Sequence, residues 1–217
     1  MVSCSKSVQV YTELIIGKTS LVIYNGTRII NTANEIKGFI LNRNQLKKKR
    51  IIYVGSLTKL KNANFLIDSF IKLNQESKYE LILVGDGPLA DYIKKLKNES
   101  IILTGNVEDV SKYLIKSHIF ISASTSEGLP MAVIEAMSYG LPVLLSDIPS
   151  HEEVVNSNKI GYTFENNNFI DFRKKLGLIL KNYNEIALNS FKLSEKLFNA
   201  KEMGKNYEQL YEKILLS

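Results

Sequence analysis

The chain has 217 residues, with 28 Lys and Arg against 22 Asp and Glu, a formal net charge of +6 and a sequence pI of about 9.2. Its hydrophobic content of 45% is ordinary for a globular protein. A single cysteine, Cys4, excludes an internal disulfide and suits a reducing, cytoplasmic setting, and no apolar run approaches the ~18 residues of a membrane-spanning helix. The first residues lack a basic segment followed by an apolar one, so no secretory leader is expected. A basic balance admits nucleic acids, anionic membrane surfaces and phosphorylated small molecules as partners. The basic residues are nevertheless spread along the chain, apart from Lys47-Lys48-Lys49-Arg50, which reads as a solvated linker.

In chain order, the spacing of Val8, Tyr11, Leu14 and Ile15 predicts a helix over 3–16, stopped by Gly17. A short strand over 20–24 runs into an Asn25-Gly26 turn. The stretch 27–50 is polar and weakly patterned, and reads as a loop or linker with room for one short helix. It marks a boundary. From Ile51 the pattern becomes regular, with strands at 51–54, 79–84, 100–104, 118–122, 142–145 and 161–164. Helices are expected between them at 62–74, 89–97, 109–117, 131–139 and 150–156. Such alternation argues an α/β, Rossmann-like, doubly wound parallel sheet of six strands with helices on both faces. The tail, 168–216, is helical, with apolar positions at Met203, Tyr207, Leu210, Tyr211 and Ile214. Three parts follow: residues 1–50, the remnant of a preceding domain with a linker; 51–200, the Rossmann-like domain; and 201–217, a C-terminal helix.

If the six strands take the common order 3-2-1-4-5-6, the first and fourth are neighbours at the switch point, and the loops leaving them flank a ligand crevice. Those loops are 55–61, with Lys59 and Lys61, and 123–130, with Glu127. A lysine at a helix start meets an unfavourable dipole and is better explained by a bound anion. The second loop leads into the start of a helix opened by Pro130, itself suited to anions. Glu135 interrupts the otherwise apolar helix 131–139, and a buried carboxylate demands a partner. Read alone, Glu127 equally fits a helix-dipole partner and Glu135 a lysine-paired carboxylate. Gly85, Gly87 and the Gly105-Asn106-Val107 turn lie on the same edge, where glycines allow close backbone approach or positive φ. The Gly-x-Gly-x-x-Gly fingerprint is missing after the first strand, which argues against a dehydrogenase. His118 and His151 read as structural, and no residue spacing suggests a metal site.

These motifs resemble a known family. Glu127-Gly-Leu-Pro-Met-Ala-Val-Ile-Glu135 looks like the Glu-x7-Glu motif of retaining GT-B-type glycosyltransferases, family 4 (glycosyl transferases group 1). Gly55-Ser-Leu-Thr-Lys-Leu-Lys61-Asn62 is similar to that family's phosphate loop. Gly85-Asp-Gly-Pro88, Gly105-Asn-Val107 and Ala136-Met-x-x-Gly140-x-Pro142-Val143 match in order and spacing, and Ile23-Tyr-Asn25-Gly26 resembles the turn before the family's second domain. The resemblance implies the C-terminal, donor-binding half of a two-domain enzyme, with the N-terminal acceptor domain absent or carried by a partner chain. It implies a retaining transfer of a hexosyl or N-acetylhexosaminyl group from a nucleotide diphosphate, UDP above all, with no metal or other cofactor. The acceptor would be a glycan or lipid-linked sugar in surface polysaccharide or glycoconjugate assembly, with peripheral contact at the inner face of a membrane.

By the same resemblance, Glu127 faces the donor sugar and Lys61 neutralises the diphosphate as the bond breaks; these two are the catalytic candidates. Glu135 holds the ribose hydroxyls, and Gly128, Leu129, Pro130 and Met131 present backbone to the diphosphate or sugar. Gly55, Ser56, Lys59, Gly85 and Gly87 belong to the donor loops, and Asn106 and Val107 lie at the base. Where the family has an arginine this chain has Ser56, with Lys59 as the substitute cation. A non-catalytic nucleotide-sugar-binding module is the alternative. A nucleic-acid-binding domain has only the net charge in its favour, so no nucleic-acid partner is expected.

Overall fold

In the computed structural model, which describes residues 1–155 and 159–216, strands and helices alternate almost throughout. The first sixteen residues give β1 (Val2–Ser3) and α1 (Lys6–Ile16), and β2 (Leu21–Val22) follows. β1 and β2 pair in parallel as a separate two-stranded sheet, with α1 as their crossover. The stretch 27–50, expected as loop with room for a short helix, carries a helix of 12 residues, α2 (Ala33–Asn44). Its start is a reciprocal capping box between Thr32 and Glu35. Its inner face is Ile36, Ile40 and Arg43, spaced at i, i+4 and i+7.

The main sheet and its helices then follow as β3 (Lys49–Val54), α3 (Ala63–Leu73), β4 (Tyr79–Val84), α4 (Ala90–Lys95), β5 (Ile101–Gly105), α5 (Ser111–Leu114) and β6 (Ile119–Ser122). Next come α6 (Met131–Ser138), β7 (Val143–Ser146), α7 (Pro149–Val155), β8 (Gly161–Phe164), α8 (Phe169–Lys181), α9 (Tyr183–Leu197) and α10 (Ala200–Leu215). Every expected strand is present, and the residues differ by a few at the ends. The expected end of one helix at Asn156 lies outside the described residues. The helix expected over 109–117 is the single turn α5, because Asp109 accepts from the Ser111 N–H and hydroxyl and so holds the backbone before it in a turn.

The six strands are all parallel in the order β5-β4-β3-β6-β7-β8, which is the 3-2-1-4-5-6 order expected. Strand residues alternate between two apolar layers. Ile51, Tyr53, Leu81, Leu83, Ile119 and Ile121 pack with α3, α4 and α8, while Ile52, Ile82, Phe120, Val143 and Leu145 pack with α5, α6 and α7. A third cluster joins Ile36 and Ile40 of α2 to Tyr183, Ala187 and Phe191 of α9.

Arg43 closes that third cluster in an unusual way. Its guanidinium is 1% exposed and has no carboxylate partner among the described residues. It donates instead to four carbonyls: Nε to Ile115 O at 2.9 Å, one terminal nitrogen to Gly140 O at 3.2 Å, and the other to Leu114 O at 3.3 Å and Tyr139 O at 2.9 Å. These are the final carbonyls of α5 and α6, where the helix dipole is negative and intrahelical donors have run out. One side chain of α2 thus ties down the rear ends of α5 and α6 together.

Candidate functional site

The loops leaving β3, β4 and β5 are zipped together through backbone. Gly55 N donates to Val84 O, Leu57 N to Asp86 O and Gly85 N to Gly105 O, each at 2.9 Å. Glycine is required where the first two loops cross: a Cβ on Gly85 would lie 2.1 Å from the Gly55 carbonyl oxygen, and its φ is +138°. Gly87 presses in the same way against Leu57, where a Cβ would come within 2.7 Å of the carbonyl oxygen. Both glycines therefore support the first loop from below and do not line the crevice.

Across the β3/β6 junction a cavity of about 280 Å³ opens between the two switch-point loops. Among the expected residues it gathers Gly55, Lys61, Glu127, Leu129, Pro130 and Met131. The loops are joined at its rim, where Thr125 N donates to Leu60 O at 2.9 Å. Inside it, Lys61 Nζ donates to Glu127 Oε1 at 2.6 Å, with the two side chains 26% and 16% exposed. The same oxygen accepts from Ser124 Oγ at 2.7 Å. Glu127 Oε1 thus carries two donors, and no donor to its Oε2 is found among the described residues. α6 begins at Met131 beside this pair with no side-chain cap, so its first N–H groups have no intrahelical acceptor.

Glu135 lies one turn further along α6 and is half-buried. Burial raises its carboxyl pKa, and Asp109 adds to the rise. Among the described residues no hydrogen-bond donor or cation meets it. The partner that its environment calls for is not supplied by the described side chains. Asn106 is exposed and Val107 half-buried against the α5–α6 layer; both lie outside the cavity, as do the exposed Ser56 and Lys59 on the first loop.

Among the lining residues not singled out from the sequence, three carry a hydroxyl: Tyr53, Ser122 and Ser124. Tyr53 donates to Ser56 O at 2.7 Å and so props the first loop. Its phenol pKa is pushed up, by burial first and by Glu127 second. Ser124 is held from behind, since Ser146 Oγ donates to its carbonyl at 2.6 Å. His151 Nδ1 sits 3.1 Å from Ser146 O, and its Nε2 finds no partner among the described residues. Burial pulls the His151 pKa down to about 4, so the ring is neutral at neutral pH. The sequence signal for the serines was small polar residues at the carboxyl end of an apolar strand. His118 is enclosed between the Arg50 N–H at 3.0 Å and the Arg43 carbonyl at 2.8 Å, and burial likewise takes it to about 4.

A larger cavity, about 760 Å³, lies away from these residues beside β8, with Lys159 and Lys175 set against Glu152 and Glu185. It contains none of the expected site residues. Among the described residues, no cluster of three or more His, Cys, Asp or Glu side chains has metal-ligating geometry.

Comparison with known proteins places this geometry. Residues 38–197 match the model of the family described as glycosyl transferases group 1. A glycosyltransferase of Haemophilus influenzae is 31% identical over 169 residues, covering 73% of this chain and 47% of the relative. The O-antigen biosynthesis glycosyltransferase WbnH of Escherichia coli is 28% identical over 191 residues, covering 87% of this chain and 53% of its own. The chain therefore spans about half the length of these curated relatives. Among solved structures, the Anabaena protein HepE in complex with UDP and glucose superimposes with a TM-score of 0.81 at 18% identity, over 97% of this chain and 62% of that one. The pneumococcal O-GlcNAc transferase GtfA in complex with UDP and GlcNAc gives 0.80 at 16% identity, over 100% and 45%. These structural likenesses establish the fold, a GT-B Rossmann-like domain.

Proposed function

The chain belongs to the glycosyl transferases group 1 family, and from that premise we propose that it is the donor-binding half of a retaining, family 4 glycosyltransferase using a UDP-linked sugar. The observation that carries the proposal is the pairing of Lys61 with Glu127 across the switch point, facing a cavity beside the uncapped start of α6. Lys61 brings a cation to the place where a diphosphate would meet the first N–H groups of α6. As the glycosidic bond breaks, negative charge grows on the departing diphosphate, and a positioned ammonium lowers that barrier. Glu127 turns its unencumbered oxygen toward the sugar. Glu135 takes the two ribose hydroxyls, which supply donors that the described side chains do not. Asn106 and Val107 flank the base, and Gly55, Ser56 and Lys59 form the outer wall of the phosphate loop. The reaction so drawn uses no metal and no organic cofactor, since Lys61 and backbone amides provide the electrostatic stabilisation.

The relatives named for O-antigen biosynthesis favour a glycan or lipid-linked sugar as acceptor, in surface polysaccharide assembly. The two-stranded β1–β2 sheet with its crossover helix has the form of the last unit of a preceding domain, which supports an acceptor half located elsewhere, on a longer chain or on a partner. The second reading, a non-catalytic donor-binding module working with such a partner, draws on the same observation. Peripheral contact with the cytoplasmic face of a membrane belongs to the proposal; no helix among the described residues is long and apolar enough to cross one. Calorimetry with UDP, a panel of nucleotide sugars and a single-stranded oligonucleotide tests the reading. Binding of UDP or its sugars with no oligonucleotide binding is expected, and the reverse pattern overturns it.

A further inference from the structure

Glu153, on α7, is used by nothing in the chemistry above, yet it accepts three hydrogen bonds from elements far away in sequence. Its Oε1 takes the Lys6 N–H at 2.7 Å and the Tyr24 hydroxyl at 2.8 Å, and its Oε2 takes the Ser7 N–H at 2.8 Å. Lys6 and Ser7 are the first two residues of α1, whose N–H groups have no intrahelical acceptor. The third, Val8 N–H, is met by Ser5 Oγ. The start of α1 is therefore capped partly by its own N-cap and partly by a carboxylate from another helix, which makes the cap a tether.

The tether bears on the crevice because of what the first turn of α1 touches. Ser5 Oγ lies 3.4 Å from the Gly128 carbonyl oxygen, and a methyl group built on Gly128 would sit 3.7 Å from Val8 Cγ2. Gly128 follows Glu127 directly and leads into α6. On its other side, through Tyr24, Glu153 reaches the place where two parts of the chain cross, residues 24–27 after β2 and residues 198–200 between α9 and α10. Tyr24 stacks edge-on against Phe198 at 5.5 Å, Thr27 N donates to Phe198 O at 2.7 Å, and Ala200 N donates to Thr27 O at 3.0 Å. Gly26 packs backbone to backbone on Asn199 and Ala200, with no room for a Cβ.

We propose that Glu153 is a positioning residue for the transferase site: by gripping the first turn of α1 and Tyr24, it fixes the Glu127–Met131 loop against α1 and couples that loop to the crossing of the two parts. The idea rests on the donor-site reading of Glu127 but not on which sugar is bound. It also separates two jobs of the carboxylate. Capping a helix dipole can be done by any nearby anion, whereas holding α1 to α7 needs a bridge between them.

The test compares the wild-type chain, Glu153→Ala, and Glu153→Ala combined with Ser7→Asp, which restores an acidic group to the first turn of α1 without the bridge. Amide hydrogen exchange of peptides covering 125–134 is measured without ligand, and calorimetry is run with UDP, UDP-glucose and UDP-N-acetylglucosamine. Exchange of the 125–134 segment should rise about tenfold in Glu153→Ala while β4 and β5 stay unchanged, and Ser7→Asp should leave the rise in place. Affinity for UDP and for the better-bound UDP-sugar should both fall about tenfold, since the same segment meets the diphosphate and the sugar. Unaltered loop exchange, or full recovery in the double variant, overturns the proposal and leaves Glu153 as a helix cap. A wild-type chain that binds neither UDP nor its sugars removes the donor-site reading instead, and the exchange result still decides whether Glu153 holds the loop.

Discussion

At the scale of single residues, the site combines a paired carboxylate with an unpaired one. Glu135 has a raised pKa from burial and from Asp109, so the folded state holds its proton more tightly than the unfolded chain does. Its contribution to stability is intact below the unfolded pKa of about 4.3 and is lost as pH rises through the folded value. Glu135→Gln should therefore melt above the wild type at pH 7 without ligand, and the two curves should converge near pH 4; a pH-independent difference contradicts the assignment. On the proposed ribose role the order should invert with UDP present, and in calorimetry Glu135→Ala, which lacks both carboxylate oxygens, should bind UDP about 1.5–3 kcal/mol more weakly. Lys61 acts through charge. Lys61→Ala should weaken UDP far more than uridine, and the wild-type preference for UDP should shrink as salt rises from low to physiological strength; equal losses for both ligands would place Lys61 outside the phosphate site. Lys61 and Glu135 stood out in the sequence because each is a charge where local structure disfavours it, at a helix start and inside an apolar helix, whereas Glu127, an acid before a helix start, stood out only through the loop and motif it belongs to. Ser124 and Tyr53 did not, because a serine at a strand end and a tyrosine in a strand are both ordinary, and only the fold brings them to the carboxylate and the first loop.

At the scale of elements, the strands were the easiest to read, since parallel strands covered on both faces are continuous apolar runs. α2 was the hardest. Its capping box, Thr32 with Glu35, was present in the sequence, but one of its three buried positions is Arg43 and so registers as polar. That arginine makes a prediction of its own. Arg43→Met should cost about 3–5 kcal/mol in urea unfolding, because it strands the carbonyls of Ile115, Tyr139 and Gly140 in the interior, while Leu114 O keeps the Ser117 N–H. Arg43→Lys should not rescue it, since one ammonium cannot reach the ends of α5 and α6 together. A loss below about 1 kcal/mol for Arg43→Met would show that the carbonyls find other donors. The glycines at 85 and 87 carry a related lesson. Their presence at the crevice edge was legible, but whether they meet a ligand or another loop depends on the distance between two backbones, which no local pattern records.

At the scale of the whole molecule, the doubly wound order and the place of the crevice followed from strand count and alternation, whereas the surfaces left for something else did not. α1 exposes Val10, Tyr11, Leu14 and Ile15, and α10 buries none of its residues. On the proposed donor-half reading, the purified chain is expected to bind UDP and to show no transfer from UDP-sugars to glycan or lipid-linked acceptors, and fusing the N-terminal half of a relative should restore turnover. Robust transfer by the chain alone would mean that residues 1–217 hold an acceptor site. The switch point has a further consequence, in the order of events. β3, β4 and β5 are contiguous in sequence, as are β6, β7 and β8, and the two triplets pair strand to strand where Ile51 meets Ile119 and Ile52 meets Phe120. Each triplet can form by closing shorter loops, so the junction between them is expected to form last in refolding. Lys61 comes from one triplet and Glu127 from the other. The capacity to bind a nucleotide should thus arrive with the slowest kinetic phase, after most amide protection in β4 and β7, and pulse-labelled refolding with UDP added at successive delays would time it.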